Sequence, residues 1–331
     1  MGGVSSSESG HERITSERRA FPDPGAVTLH EEHYVITKRA AGRAAVLGAV
    51  LSAGLFVVAT STAAPVGQRE NWTATTSPIF HKTTSLNATG SVADSGADDG
   101  RALRLTLKSG ANPSPGGGVE IASNQQFKYG TFSTRMKSAD CASQPRAGVV
   151  TGAFTYSSDH ADRNGNGLPD NDEIDFEWLC AQPEVVYLTI WTDYNASNDQ
   201  LRKVSRVIDL RAGKIISTCF STTFGDCVQL GGAENQPASV PAIHGYNSST
   251  QYYEYGFDWT AGGVNFYLVN AQGARVTLWD YKGPASRVPN KPSTYLQNAW
   301  HTNNWDPYGF QARERPNRDL HANVDWTQLP S

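Results

Sequence analysis

The strongest constraint on the fold is a series of short segments in which apolar and polar residues alternate, with no convincing helical period between them from Trp72 onward. Gly, Asn, Asp, Ser or Pro residues separate the segments, as expected for turns between strands. Many short strands without intervening helices indicate an all-β sandwich. The predicted strands are residues 101–107, 127–136, 148–156, 173–179, 184–192, 203–209, 252–259, 264–269 and 275–279.

One predicted strand, residues 173–179, carries three acids on one face. With the two-residue period of a strand, these acids share a face, and the side chains between them form an apolar face that should pack in the core. Strands disfavour Asp and adjacent like charges, so the acidic face indicates a functional cluster rather than solvated surface. The acids are Glu173, Asp175 and Glu177, and the apolar side chains are Ile174, Phe176 and Trp178.

The spacing of the two glutamates suits glycoside cleavage. Cα atoms four residues apart on a strand are roughly 13 Å apart. Inward-leaning side chains can bring the carboxyls of Glu173 and Glu177 to about 5–5.5 Å, the separation that a retaining glycosidase needs. Asp175 between them can hold the nucleophile and help keep one carboxyl protonated, because adjacent carboxylates do not all ionise freely.

Residues 173–177 resemble the E-x-D-x-E signature of the family 16 glycoside hydrolases, in the form found in lichenases and in xyloglucan and fungal cell-wall transglycosylases. Similar segments follow in order from about Leu103 to the C-terminus. The resemblance implies a β-jelly roll sandwich of two antiparallel sheets (concanavalin A-like). It also implies that Glu173 is the nucleophile, Glu177 the acid/base and Asp175 the helper. The segments are residues 129–137, 255–260, 297–301 and 321–326.

The same resemblance suggests which residues contact the sugar, although residues 181–250 are longer than in lichenases and leave the subsites open. Aromatic rings offer flat apolar faces to pyranose C–H groups, and Arg or Asn can bind hydroxyls. For Trp191 and Trp300, burial in the core is an equally good interpretation. The predicted substrate-binding residues are Arg135, Tyr156, Trp191, Asn298, Trp300 and Trp305.

No cofactor is expected for the chemistry, but two segments could hold a structural calcium ion. The resemblance implies a site at Gly100 and Asp325, for which an ordinary turn glycine and a solvated aspartate are the alternative. Residues 162–173 also fit the EF-hand calcium-loop pattern. Their neighbours are β-like rather than helical, which favours a polar loop leading to the acidic strand. Calcium ligands in that loop would be Asp162, Asn164, Asn166 and Asp170.

The first part of the chain differs from the rest. Residues 1–37 are polar and predict a disordered leader. Residues 38–64 combine basic residues, an apolar run of about 16 residues and small residues, which favours a signal peptide, with a signal anchor as the alternative, because a membrane span needs about 20. Residues 65–331 form the predicted catalytic domain. The net charge of −4 argues against nucleic acid as a partner, and a monomer is expected.

Four cysteines follow the signal segment. An even number in an exported chain indicates disulfides, and three pairings are open. We favour Cys219–Cys227, which closes a short local loop, together with Cys141–Cys180, which would brace the acidic strand.

The predicted function is a secreted retaining endo-glycosidase that hydrolyses β-1,3 and/or β-1,4 linkages of a β-glucan. A polysaccharide transglycosylase and a non-catalytic carbohydrate-binding jelly roll are the alternatives. The sequence has neither the H-E-x-x-H pattern of zinc proteases nor the G-x-S-x-G pattern of serine hydrolases.

Overall fold

The computed structural model of the protein describes residues 67–83, 88–113, 118–305 and 311–331. The predicted leader (residues 1–37) and signal segment (residues 38–64) lie outside the described residues, and both stay predictions. Within the described ranges, none of the helices has the length and apolar character needed to cross a membrane.

The regular secondary structure of the described chain is almost entirely β-strand, with two short 3-10 turns at Gly232–Glu234 and Ala285–Arg287. The strands are β1 (Gln68–Glu70), β2 (Phe80–Lys82), β3 (Ala88–Ala93), β4 (Arg101–Leu107), β5 (Val119–Phe127), β6 (Gly130–Lys137), β7 (Val149–Ser158), β8 (Asp170–Leu179), β9 (Val185–Asn195), β10 (Gln200–Asp209), β11 (Lys214–Thr223), β12 (Val228–Gln229), β13 (Tyr253–Thr260), β14 (Gly263–Val269), β15 (Arg275–Tyr281), β16 (Ser293–His301) and β17 (Leu320–Leu329).

These strands form two antiparallel sheets. The eight-stranded sheet has the order β15-β14-β13-β6-β17-β4-β3, with β1 pairing to β17, and the nine-stranded sheet has the order β12-β11-β10-β9-β8-β7-β16-β5-β2. Most neighbouring strands are consecutive along the chain, but some are far apart in sequence, as β6 beside β17 illustrates. The predicted β-jelly roll sandwich of two antiparallel sheets is confirmed.

Aromatic side chains from both sheets meet in the core. Phe176 of β8 contacts Phe266 of β14 with ring centroids 5.4 Å apart, and Trp178 of β8 contacts Tyr255 of β13 at 4.6 Å. Each such ring contributes about 2–3 kcal/mol by leaving water. A one-residue slip of β8 would expose these rings and bury the acids, so the core fixes which face the acids occupy.

Two disulfides link the described cysteines in the predicted pairs, Cys141–Cys180 and Cys219–Cys227. The first joins the residue that follows β8 to the segment after β6. Closing a loop of that size reduces the entropy of the unfolded chain and contributes about 3–4 kcal/mol. It therefore holds the C-terminal end of the acidic strand in place.

Candidate active site

The three acids project from the face of the nine-stranded sheet that is turned away from the core, here called the outer face. On β8 they alternate with Ile174, Phe176 and Trp178, which are at most 2% exposed. The Asp175 side chain is buried as well, and Asn171 Nδ2 donates a 3.2 Å hydrogen bond to Glu173 Oε2. We call Glu173, Asp175 and Glu177 the acid triad.

The register of the sheet gives each member of the triad two lateral neighbours. Glu173 lies between Tyr156 of β7 and Trp191 of β9. Asp175 lies between Phe154 and Thr189, and Glu177 between Gly152 and Tyr187. Aromatic side chains therefore flank the N-terminal acid on both sides, whereas a glycine opens space beside the C-terminal one. The neighbours are Tyr156, Trp191, Phe154, Thr189, Gly152 and Tyr187.

The environment of the triad raises the pKa values of all three carboxyls. Loss of water around the carboxyls raises the pKa of Glu173 to about 7 and that of Glu177 to about 8. Burial raises the pKa of Asp175 well above its usual value, and the charges of the two glutamates raise it further. Carboxyls so perturbed in one cluster are typical of acid/base catalysis, since one group must donate a proton while another stays ionised.

Lys203 of β10 faces the triad. It pairs across the sheet with Trp191, and its Nζ lies 4.9 Å from the centre of the Trp191 ring. Its positive charge lowers the pKa values of Glu173 and Glu177, and burial in turn lowers the pKa of Lys203 itself. Sequence analysis missed this residue.

Asn298 of β16 lies two strands from Glu177, with only Gly152 between them. Its amide Nδ2 donates to Glu120 Oε2 at 3.4 Å, while its Oδ1 is buried without a hydrogen-bond partner in the structure. A Cβ at position 152 would lie 2.7 Å from this Oδ1. The glycine thus leaves room for a buried acceptor that a sugar hydroxyl could satisfy.

Trp300 and Trp305 lie on the same face but beyond the C-terminal end of the triad. Trp300 pairs with Val150, which pairs with Leu179 two residues after Glu177. Both tryptophans are partly buried against an apolar cluster on the outer face. Trp305 also contacts the Tyr187 ring at 5.1 Å. Their predicted contact with the sugar stays a prediction, while Trp178 is buried in the core as expected.

Arg135 does not lie on the outer face beside the triad, which corrects the prediction that it binds substrate. It belongs to β6 in the other sheet and forms an ion pair with the buried Asp325. A bulge in β17 between Val324 and Trp326 leaves Asp325 outside the regular ladder with β6. Asp98 adds a second carboxylate 3.1 Å from the guanidinium. Sequence similarity alone did not show which sheet carries this arginine.

The predicted calcium pair does not fit the contacts of its residues. The Asp325 carboxylate accepts hydrogen bonds from the Arg135 guanidinium and the Asp98 amide, so a cationic side chain already neutralises it. The Gly100 carbonyl accepts the amide of Asp94 at 3.0 Å. Across the part of the chain that the structure describes, no set of three or more His, Cys, Asp or Glu is placed to hold a metal ion.

The loop before β8 has strands on both sides, β7 and β8, so it is not an EF-hand. Asp162 accepts hydrogen bonds from the amides of Asn166 and Gly167, and Asp170 forms an ion pair with Lys291. Glu173 projects from the strand rather than into this loop. Calcium binding by the loop stays a prediction.

Comparison with known proteins shows that part of the chain matches a family model. The model of glycosyl hydrolases family 16 matches residues 81–226. The chain is similar to Bacillus licheniformis β-glucanase at 17% identity, covering 80% of this chain and 98% of that chain, with a TM-score of 0.46. It is similar to a Crh5 transglycosylase at 17% identity, covering 81% and 85% with a TM-score of 0.47.

A third similar structure is the catalytic domain of an endo-1,3-β-glucanase (laminarinase) from Thermotoga petrophila RKU-1, at 13% identity, covering 80% of this chain and 96% of that chain with a TM-score of 0.45. At these identities and TM-scores, none of the three structures carries an activity or a substrate over to this chain. No curated protein matches its sequence.

Proposed function

We propose that this chain belongs to glycosyl hydrolases family 16, whose model matches residues 81–226, and that it is a secreted retaining endo-glycosidase that hydrolyses β-glucan by double displacement. The observation that carries the proposal is the acid triad, three carboxyls on one face of β8 with raised pKa values. Binding alone gives no reason to crowd three carboxyls, whereas bond cleavage needs both a nucleophile and an acid.

In the proposed first step, Glu173 attacks the anomeric carbon, and the electron pair of the breaking C–O bond passes to the leaving oxygen. Glu177 gives its proton to that oxygen as the bond breaks. In the second step Glu177, now ionised, removes a proton from water, and the water displaces Glu173 from the sugar. Both displacements invert the anomeric carbon, so the product keeps the β configuration.

The electrostatics support this division of roles. Burial and the charge of Glu173 both raise the pKa of Glu177, which suits a group that must start protonated. Asn171 donates to Glu173, and a hydrogen bond with Asp175 further favours ionised Glu173, which suits a nucleophile. Asp175 is the helper that orients the nucleophile.

Aromatic rings and disulfides support the proposed substrate and location. The outer face presents the aromatic rings of Tyr156 and Trp191 beside the nucleophile, which suits the apolar faces of pyranose rings. The disulfides Cys141–Cys180 and Cys219–Cys227 suit an oxidising compartment outside the cytosol. We propose that the protein acts there as a monomer on a β-glucan chain, with no cofactor in the reaction.

The proposal is tested with the wild-type protein and Glu173→Gln on lichenan, laminarin, xyloglucan and agarose. We expect wild-type turnover of at least one β-glucan, loss of kcat by several orders of magnitude in Glu173→Gln, and binding of the same glucan by both proteins. Wild-type turnover in the variant would refute the assignment of the nucleophile. Binding without turnover by the wild-type protein would favour the carbohydrate-binding alternative.

The transglycosylase alternative uses the same acids, since a sugar hydroxyl can replace water in the second step. Product analysis with a labelled acceptor oligosaccharide separates the two activities. Hydrolysis gives only shorter chains, whereas transfer places the label in longer ones.

A further inference from the structure

One end of the outer face carries a large aromatic side chain that is not buried. Phe224, in the turn after β11, is 53% exposed, although its ring lies against other aromatic rings. Exposing a phenylalanine forgoes the stabilisation that its burial would give. The mechanism proposed above does not use this residue.

Phe224 belongs to an aromatic cluster defined here by Trp191, Tyr194 and Phe224. Each ring meets the other two edge-on, with centroid distances of 6.0 Å for Trp191–Tyr194, 6.2 Å for Trp191–Phe224 and 5.9 Å for Tyr194–Phe224. Lys203 Nζ lies 4.9 Å from the Trp191 ring and 5.7 Å from the Phe224 ring. The cluster thus joins apolar ring faces to a hydrogen-bond donor.

The turn that carries Phe224 is held in a fixed conformation. The Cys219–Cys227 disulfide closes it, and the Asp226 side chain accepts a 3.1 Å hydrogen bond from the Thr222 hydroxyl. Ser221 Oγ donates to the Asp226 carbonyl at 2.7 Å. An exposed ring on a rigid turn is preorganised for binding, because little conformational entropy remains to be lost when a ligand arrives.

The cluster continues the active site across the sheet. Glu173, Trp191, Lys203 and Ser221 are successive lateral neighbours on β8, β9, β10 and β11. Neighbouring strands are ~4.8 Å apart, so β11 lies roughly 14 Å from the nucleophile strand. That distance exceeds one pyranose ring, so Phe224, which follows β11, would contact a sugar ring other than the one attacked by Glu173.

We propose that Trp191, Tyr194, Lys203 and Phe224 form a distal sugar-binding subsite, which holds a ring of the polysaccharide chain beyond the ring attacked by Glu173. This inference rests on the proposed function. The occupant is a neutral sugar, because the charge of Lys203 already faces the three carboxyls of the triad. Phe224 offers its ring to the sugar C–H groups, and the Lys203 ammonium can donate to a hydroxyl.

The test compares long and short substrates of the same linkage. The wild-type protein, Phe224→Ala, Phe224→Trp and the control Val228→Ala are assayed on oligosaccharides of increasing length and on a short aryl glycoside. Val228 is 58% exposed on β12, just after Cys227, but belongs to none of the aromatic contacts. The measured quantity is the ratio of kcat/KM on the longest oligosaccharide to kcat/KM on the aryl glycoside.

We expect Phe224→Ala to lower this ratio about five- to tenfold, the loss of roughly one aromatic contact. Phe224→Trp should restore the ratio, and Val228→Ala should leave it at the wild-type value. An equal fall on long and short substrates would overturn the subsite in favour of a packing role. A change in oligomeric state with an unchanged ratio would overturn it in favour of contact with a second copy of the chain.

Failure of the proposed function gives a different result. If the wild-type protein neither cleaves nor binds any oligosaccharide, measured by product analysis and calorimetry, the proposed function and this subsite both fall. If the wild-type protein cleaves long oligosaccharides and the ratio does not depend on residue 224, only the subsite is refuted.

Discussion

Lys203 and Glu173 are separated across the nine-stranded sheet by a single residue, Trp191, which pairs with both. The ammonium lies against the Trp191 ring, and its charge acts on the triad across partly buried side chains. Electrostatic interactions are stronger in such surroundings than in water. We therefore expect Lys203 to influence the pH range in which the acids work.

Replacing this lysine should move the pH profile of the reaction. Because the charge of Lys203 lowers the pKa values of Glu173 and Glu177, Lys203→Met should raise both. The rising limb of kcat/KM reports ionisation of the nucleophile, and the falling limb reports loss of the acid's proton. Both limbs should move to higher pH on an oligosaccharide, whose leaving sugar hydroxyl needs the acid's proton. Lys203→Arg keeps the charge and should restore the profile, and an unmoved profile in Lys203→Met would contradict this role.

Filling the space beside Glu177 should impair substrate binding. In Gly152→Ala the new Cβ would lie 2.7 Å from Asn298 Oδ1, so the amide must shift. We expect kcat/KM to fall about tenfold or more, since small displacements in an active site have large effects on rate. Gly90→Ala on β3 is the matched control, because its Cβ would meet no atom within 4 Å. Equal activity of the two variants would argue against a substrate contact at Asn298.

The raised pKa of Glu177 should make stability depend on pH. The folded state holds this proton up to about pH 8, whereas the unfolded chain releases it near the ordinary value of 4.5. Glu177 therefore contributes fully to the free energy of unfolding below pH 4.5, and this contribution is lost as pH rises through about 8. Glu177→Gln removes this titration. Above pH 8 the Tm of the variant should therefore exceed that of the wild-type protein, by about 2–4 °C for each kcal/mol regained in the free energy of unfolding.

Calorimetric melting of wild type and Glu177→Gln from pH 4 to 9 measures this difference. The two Tm curves should diverge with rising pH, whereas parallel curves would show that burial of Glu177 has no energetic cost.

Arg135 should matter for stability and not for catalysis. Arg135→Met leaves the carboxylate of Asp325, which is 1% exposed, without its ion-pair partner. We expect a loss of about 1–3 kcal/mol in the free energy of unfolding, measured by denaturant titration. Lys108→Met breaks the more exposed pair with Asp319 and should cost less than about 1 kcal/mol. A large rise in KM for Arg135→Met, measured at a temperature where the variant is folded, would show instead that Arg135 contacts the substrate.

Local periodicity was sufficient to place the acids. Because strand side chains alternate with a period of two, Trp178 could be assigned to the core and Glu173 to the opposite face before any pairing was known. The predicted strand at residues 127–136 was wrong in extent, because Tyr129 (φ 67°) and Gly130 (φ 116°) interrupt it between β5 and β6. Strand β11 was missed because its exposed end is rich in Ser and Thr.

The pairing between strands could not be predicted from the sequence. Lys203 faces the triad because the β9–β10 pairing places it beside Trp191, and no motif in the sequence marks that register. Arg135 was misplaced for a related reason, since a family-like segment does not reveal which sheet its strand joins. Both disulfides were predicted correctly, because one closes a short local loop and the other joins the ends of candidate strands.

The central claim, that Glu173 is the nucleophile and Glu177 the acid/base, is tested most directly with Glu177→Ala and azide. An activated aryl β-glycoside needs little protonation to leave, so the glycosyl-enzyme still forms in this variant. It then accumulates because water has lost its base. Azide needs no base, and we predict that it restores turnover and yields a glycosyl azide.

The configuration of that azide, determined by NMR, decides the assignment. Attack on an α-linked glycosyl-enzyme inverts the anomeric carbon, so the predicted product is the β-glycosyl azide. An α-glycosyl azide, formed by direct displacement without an enzyme-linked intermediate, would contradict the assigned roles of Glu173 and Glu177.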